Sequence, residues 1–483
     1  MIYRGKYEAV IGLEIHAQLN TKSKMYSSDP NQYGEMPNTL VNPISLGHPG
    51  TLPRVNARAV DFAIKLGLAL NCKIRYENQF ARKNYFYADL PKGYQITQDK
   101  TPICYDGFLN IRLAGGVVKK IGITRIHMEE DAGKSIHDMD PFNTLIDLNR
   151  AGVPLLEIVS EPDIRTSEEA ALYISEIRKL VRYLDICDGN MEEGSLRCDA
   201  NISVRIRGAN SFGQRTEVKN INSIRNVQKA IEYEINRQID VLESGGVIEQ
   251  ETRTFDAIKG ITISMRTKEM AHDYRYFPEP DLLPVYVTNE KIEQIATTMP
   301  ALPGQLYEKY INQYQLPEYD TFIITENKAF ALYFDRLCHL TNHYKAAANW
   351  MIGPVKSYLN ENALEPEDFP LSPETMAGLI DMVEKNVVSF SVASQKIFPE
   401  LLKNPSASPV QLARDMNLVQ ESDSGQIMEW ARQALEKYPE KIKEYQAGKK
   451  GLLGLFMGEV MKLSGGKADP KLANKILQEL LNK

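Results

Sequence analysis

Cysteine is scarce in this 483-residue chain: the five present, Cys72, Cys104, Cys187, Cys198 and Cys338, are odd in number, widely spaced and never arranged as C-x-x-C. That pattern argues against a disulfide framework and a four-thiolate zinc site, and it fits a reducing compartment, so a cytoplasmic location is expected. Long apolar runs are missing too. None approaches the roughly 20 residues that span a bilayer, and the opening residues Met1 to Glu8 form no apolar leader, so no membrane association is expected. There is no dinucleotide fingerprint, no H-E-x-x-H and no nucleophile elbow. Gly133-Lys134-Ser135 resembles the end of a phosphate loop, but residues 128 to 132 read Met-Glu-Glu-Asp-Ala, so the glycine loop that would cradle phosphate is absent. Excess positive charge is lacking as well. With a net charge of -6 the chain as a whole is no counterion for nucleic acid, and any RNA contact requires a local basic surface.

A chain this long exceeds one comfortable core, and about 150 residues per domain suggests two to four domains. The first 290 or so residues alternate like strands, in Ala9 to His16, Leu109 to Leu113, Gly122 to Met128 and Ala200 to Ile206. Two helices interrupt them. Thr166 and Glu169 form a capping box before Ala170, Ile174, Ile177, Val181 and Leu184; a second helix runs from about Ser223 until Gly245-Gly246 stops it. From 291 the texture turns helical, with proline-bounded segments such as the one that Ser372 caps and Pro373 opens. Past the polar stretch Asn404 to Pro409, the region from Lys441 to Lys475 holds eight lysines against three acids. The expectation is a multidomain α+β protein: residues 1–290 a mixed β-sheet domain with packed helices, 291–405 an all-helical domain, and 406–483 a small basic helical tail domain.

Three consecutive carboxylates, Glu129, Glu130 and Asp131, stand before Ala132, Gly133, Lys134 and Ser135. Adjacent like charges repel, and a hard cation with phosphate attached is the simplest way to relieve them. Other acids have strand alternation. Glu14 and His16 share one face, Arg197, Asp199 and Asn201 another, and Glu217 and Lys219 a third. The glycine-rich stretch Gly208 to Gly213 suggests that the last two strands form a hairpin, whose register the sequence leaves open. A face carrying Glu14, His16, Glu129 or Glu130, Asp199 and Glu217 offers the oxygen-rich ligation that Mg²⁺ requires. Arg125, Lys134, Arg197 and Lys219 are then candidates to clamp phosphoryl oxygens.

The segment Arg82 to Tyr94 mixes cations with aromatic rings, and His272 to Asp281 repeats the mixture. Rings of this kind stack a purine while the cations meet phosphate, which singles out Arg82 and Tyr87; aromatic residues in strands are as often simply core. Three readings follow: an enzyme acting at phosphate, a binding module with a structural ion and an RNA-holding tail, or a metal-dependent nuclease or phosphohydrolase.

The motifs Val10 to His16, Arg82 to Tyr87, His127 to Lys134, Asp147 to Leu155, Asp273 to Asp281 and Gly465 to Pro470, in this order, resemble the B-subunit family of the aspartyl/glutamyl-tRNA amidotransferase. The likeness runs over essentially the whole chain. It implies a cradle-like catalytic domain, a helical domain and a tail that touches tRNA. It implies partners: the amidase, or A, subunit that releases ammonia from glutamine, a small C subunit, and misacylated Glu-tRNA(Gln) or Asp-tRNA(Asn). It implies Mg²⁺ as cofactor and ATP as substrate, used to phosphorylate the side-chain carboxylate before ammonia displaces phosphate. By the resemblance, His16 and Glu130 match metal-site positions, and Glu14, Glu129, Asp199 and Glu217 surround or complete that site. Glu129, Glu130, Lys134 and Lys219 are then the expected catalytic residues, and Arg82, Tyr87, Arg125 and Arg197 the expected nucleotide-binding ones.

Overall fold

The computed structural model describes residues 5–267, 274–419 and 424–482. Two compact units emerge, Met1–Leu302 and Pro303–Lys483. No helix among the described residues is long and apolar enough to cross a membrane.

The first unit opens with β1 (Tyr7–Gln18) and helix α1 (Ala57–Ala69), followed by the short strands β2 (Lys73–Ile74), β3 (Glu77–Asn78), β4 (Ala81–Asn84) and β5 (Tyr94–Thr97). A long hairpin of β6 (Cys104–Arg112) and β7 (Val118–Glu130) comes next, then β8 (Lys134–Ile136), β9 (Leu145–Asp147) and β10 (Pro154–Ser160). Helix α2 (Ser167–Tyr183) leads to β11 (Leu196–Ile206), β12 (Thr216–Ile221) and helix α3 (Ile224–Glu243). The unit closes with β13 (Glu251–Asp256), β14 (Ile261–Thr267), β15 (Phe277–Pro278), β16 (Val285–Tyr286) and helix α4 (Asn289–Thr297).

Nine of these strands make one sheet in the order β14-β13-β12-β11-β1-β10-β7-β6-β2. Its strand pairs are antiparallel except β12 with β13, which run parallel. The sheet is therefore mixed, as expected. Leu13, Ile15, Ile126, Met128, Leu156, Ile158, Ala200 and Val218 bury one face in a core shared with α1, α2 and α3. The first of these helices to carry a capping box, α2, follows it, with Thr166 Oγ1 accepting the Glu169 N–H at 3.1 Å; at the start of α3, Ser223 Oγ accepts the Asn226 N–H at 3.2 Å. Because the helices occupy one side, side chains of opposite parity in β1, β7, β10, β11 and β12 emerge on the other.

Helix α4 spans residue 291, where the helical texture begins, yet it belongs to the first unit. Ile295 is buried in the N-terminal core, and Ile292, Met299 and Leu302 pack against that core. The apolar stripe of α4 finds its nearest partner in α1. The second unit is helical throughout its described length. Ser372 caps the helix Pro373–Glu384 as its sequence indicates. Four closing helices, Ser424–Glu436, Pro439–Gln446, Leu453–Leu463 and Pro470–Leu481, share a core of Ile427, Ala431, Phe456, Val460, Ile476 and Leu477. On their surface Lys437, Lys441, Lys443 and Lys449 pair with acids, whereas Lys462, Lys467, Lys471 and Lys475 make no ion pair among the described residues.

Candidate functional site

The pairing register carries a polar row across five adjacent strands. In β1, Glu14 lies opposite Asp199 of β11 and Val159 of β10, while His16 lies opposite Arg197 and Glu157. Glu157 in turn faces His127 of β7, and Asn201 faces Glu217 of β12. Directly opposed residues in an antiparallel pair share a side. Acids from distant stretches of chain therefore converge where the helices do not cover the sheet.

The tightest cluster is His16, Glu129 and Glu157, whose ligand atoms all lie within 4.8 Å of one another. His16 Nε2 is 3.3 Å from Glu157 Oε2 and 4.0 Å from Glu129 Oε1. His127 Nε2 stands 3.4 Å from the same Glu157 oxygen and 3.5 Å from Glu129 Oε2. Burial by itself disfavours charge on His16, but Glu157 and Glu129 outweigh it and raise its pKa; for His127 the same contest ends at about 9. Burial would raise Glu157, yet the two imidazoles beside it hold its carboxyl well below the usual range. An imidazole nitrogen and two carboxylates at such spacing form a donor set suited to a small divalent cation. Lys83 of β4, over the Tyr274 ring at 4.9 Å, feels this cluster's charge without pairing with it. Burial opposes its charge, and Glu129 and Glu157 are among the groups that raise its pKa.

Beside the cluster the acids are partnered differently. Asn201 Nδ2 donates to Glu14 Oε1 at 2.8 Å, and burial, with Glu157 and Glu217 adding to it, pushes the Glu14 carboxyl up. Lys219 Nζ bridges Asp199 Oδ2 at 2.7 Å and Glu217 Oε1 at 2.9 Å. A bulge between Cys198 and Ala200 brings that lysine over Asp199. A cavity of about 260 Å³ opens next to Glu14, Ser160, Asn201 and Ser203, with Phe212 and Arg215 contributed by the β11–β12 connection. Gly12, also lining it, leaves space that a side chain of its parity would take. Gly213 is needed for close approach: a Cβ there would sit 2.1 Å from the Val204 carbonyl oxygen.

The remaining sequence candidates divide. Arg125 shares the parity of His127 and Glu129 and makes no ion pair among the described residues. Arg197 is committed to Asp131, at 2.7 Å; burial would raise that carboxyl, but Arg197 and Arg150 outweigh it and hold it low. Glu130 does not join the cluster. By strand alternation it faces away from Glu129, accepting the Ile96 N–H at 3.0 Å and pairing with Lys92. Lys134 is exposed at the start of β8. Arg82 is locked to Glu279 at 2.7 Å and Asp281 at 3.1 Å, while its neighbour Lys83 feels the charge of Glu129 and Glu157. Tyr87 is half exposed and lies edge-on to Tyr85.

The two aromatic-basic segments do meet: β15 pairs with β4, and the Tyr274 carbonyl accepts the Asn84 N–H at 3.0 Å. His272 and Asp273 of the second segment lie outside the described residues. Sequence reasoning misses Glu157, His127 and Lys83. One signal is available for Glu157, a lone carboxylate in the otherwise apolar run Pro154 to Val159, where a charge is costly without a partner.

Residues 9–293 match the family described as GatB/GatE catalytic domain, and residues 332–481 match the one described as GatB domain. Among curated relatives, a protein of Thermodesulfovibrio yellowstonii is 49% identical over 476 residues, covering 99% of each chain. One of Caldicellulosiruptor bescii is 48% identical over 481 residues, covering 99% of this chain and 100% of that protein. A third, of Chlorobium limicola, is 49% identical over 477 residues with the same coverage. All three are named as the B subunit of aspartyl/glutamyl-tRNA(Asn/Gln) amidotransferase.

Proposed function

The chain belongs to the family of aspartyl/glutamyl-tRNA(Asn/Gln) amidotransferase B subunits, and from that premise we propose that it activates and amidates the side-chain carboxylate of a misacylated tRNA. The substrates of this reading are Glu-tRNA(Gln) or Asp-tRNA(Asn) and ATP, with ammonia supplied by the glutaminase, or A, subunit while a small C subunit completes the assembly. A carboxylate is a poor electrophile because oxide would have to leave; transfer of the γ-phosphoryl group gives it phosphate as leaving group, which ammonia then displaces. The observation that carries the proposal is the convergence of His16, Glu129 and Glu157 within 4.8 Å beside the cavity at Glu14.

In this reading His16, Glu129 and Glu157 hold Mg²⁺, whose chemistry is to neutralise charge on phosphoryl oxygens during transfer. Glu14 and Asn201 border the nucleotide cavity, and Phe212 and Arg215 offer a ring face and a cation at its wall. Arg125, unpaired among the described residues and on the same face, is positioned to meet phosphate oxygens. Lys219 holds Asp199 and Glu217 in place rather than leaving both acids open to a second ion. Lys83, whose charge the cluster's acids favour, supplies positive charge for the approach of the substrate carboxylate.

The test is to incubate the assembled complex with Glu-tRNA(Gln), ATP, Mg²⁺ and ammonium, following ADP and Gln-tRNA(Gln). The expected result is ADP formation that depends on the misacylated tRNA and matches amide product. Cleavage of the RNA without an ammonia requirement would instead favour a nuclease. The tail has its own test. Deleting residues 406–483 removes lysines such as Lys462, Lys467, Lys471 and Lys475, which make no ion pair among the described residues, and should weaken capture of charged tRNA by roughly tenfold or more, a loss that shrinks as salt is raised. Unchanged affinity in a filter-binding titration would remove the tail from the tRNA site.

A further inference from the structure

His127 is a member of the polar row that neither the proposed ion nor the cavity requires. It sits at the far side of Glu157 from His16, so the carboxylate of β10 is flanked by imidazoles from β7 and β1. Its Nε2 faces two carboxylate oxygens, Glu157 Oε2 at 3.4 Å and Glu129 Oε2 at 3.5 Å, and with two acceptors in front of it that nitrogen carries the proton. Thr97 Oγ1 donates to the same Glu129 oxygen at 3.1 Å. The Oε2 atom of Glu129 is thus held by Thr97 and His127, and Oε1 is the atom turned toward His16.

The other end of the ring shows that this placement is not made for packing. His127 Nδ1 is buried without a hydrogen-bond partner among the described residues. An orphaned buried nitrogen is destabilising, and an apolar ring of similar size would avoid it. Only the contacts of Nε2 account for an imidazole here.

We propose that His127 is a positioning residue of the cation site, one that holds Glu129 by Oε2 so that Oε1 faces the ion beside His16, and that steadies the Glu157 Oε2 it shares with His16. This rests on the divalent-ion reading given above. His127 is not itself a ligand: the atoms that lie mutually within 4.8 Å belong to His16, Glu129 and Glu157. Outer partners of this type orient the ligands and tune the site, and removing one typically costs about 10- to 100-fold in metal affinity.

The experiment uses the assembled complex and Mn²⁺ as a paramagnetic probe, without ATP or tRNA, and compares the parent with His127→Phe and His127→Gln. Free Mn²⁺ is read by electron paramagnetic resonance, and folding by the thermal midpoint. His127→Phe is expected to weaken Mn²⁺ binding by about 10- to 100-fold while leaving the thermal midpoint at or above that of the parent. His127→Gln, which restores an N–H near the position of Nε2, should recover part of the loss. The Mg²⁺ concentration for half-maximal ATP turnover should shift in the same direction, with the rate at saturating Mg²⁺ falling much less. Phe binding Mn²⁺ within about twofold of the parent would overturn the assignment, as would a Gln variant no better than Phe, because the role would then belong to the ring and not the donor. A parent complex that binds no Mn²⁺ would instead bring down the divalent-ion reading, and this inference with it.

Discussion

Replacing Glu157 by alanine is expected to lower ATP-dependent amide formation by about 10³-fold or more at saturating substrates, while glutamine hydrolysis by the glutaminase partner continues. Glu157 is the shared centre of the cluster. Its Oε2 is contacted by both His16 and His127, so its loss removes one ligand and leaves the two histidines facing only Glu129. Without that carboxylate the donor set falls to one imidazole and one carboxylate, which halves the negative charge that balances a divalent ion. Glu157→Gln keeps the shape without the charge and should behave almost as badly. Glu130→Gln is the comparison that makes the result specific. Glu130 is bound to Lys92 and the Ile96 amide on the other side of β7, so its substitution should leave Mn²⁺ affinity within about twofold. Measuring ADP release, amide product and Mn²⁺ binding on the three variants decides the matter. Equal loss of metal in the Glu130 and Glu157 variants would show that the ion sits elsewhere.

The second large effect is on stability. Glu234 of α3 is wholly buried, and Arg237 reaches its two oxygens at 2.6 and 2.9 Å. Gln238 donates to it at 2.9 Å, Thr262 of β14 at 2.9 Å, and Arg253 of β13 stands 3.6 Å away. These contacts tie α3 to the two strands outside β12, which carries Glu217 and Lys219. Glu234→Ala leaves Arg253 and Arg237 with only Glu251, at 2.6 and 3.6 Å, as counter-charge, and the loss is expected at or below the low end of the roughly 3–5 kcal/mol that breaking a buried ion pair costs. Both tryptophans, Trp350 and Trp430, lie in the second unit, so tryptophan fluorescence is the wrong reporter. Hydrogen exchange should accelerate in residues 251–256 and 261–267 while the tryptophan transition stays where it was. Unaltered exchange in those strands would mean that the network does not hold them.

Local rules and the family pattern serve this chain well as far as they reach. The caps at Thr166 and Ser372 are legible because a cap is an interaction over three residues. Glu14 with His16, and Glu217 with Lys219, fall on common faces as expected because alternation is a property of one strand. Choosing between Glu129 and Glu130 is harder, since adjacent acids at a strand end point opposite ways and only the partners at Lys92 and Thr97 show which way is which. Lys83 escapes sequence reading for the same reason. Its neighbour Arg82 has the more conspicuous chemistry, but Glu279 and Asp281 arrive by way of β15 to occupy it.

The amino-acid sequence alone determined the charge balance, the boundaries of α2 and α3 though not the existence of α1, the faces of single strands and the family pattern, because each of these is written in neighbours along the chain. Tertiary structure decided which acids meet. Strand order and register are set by burying one whole face of a nine-stranded sheet, and that non-local requirement, not any local signal, brought Glu157 and His127 beside His16 and turned Glu130 away.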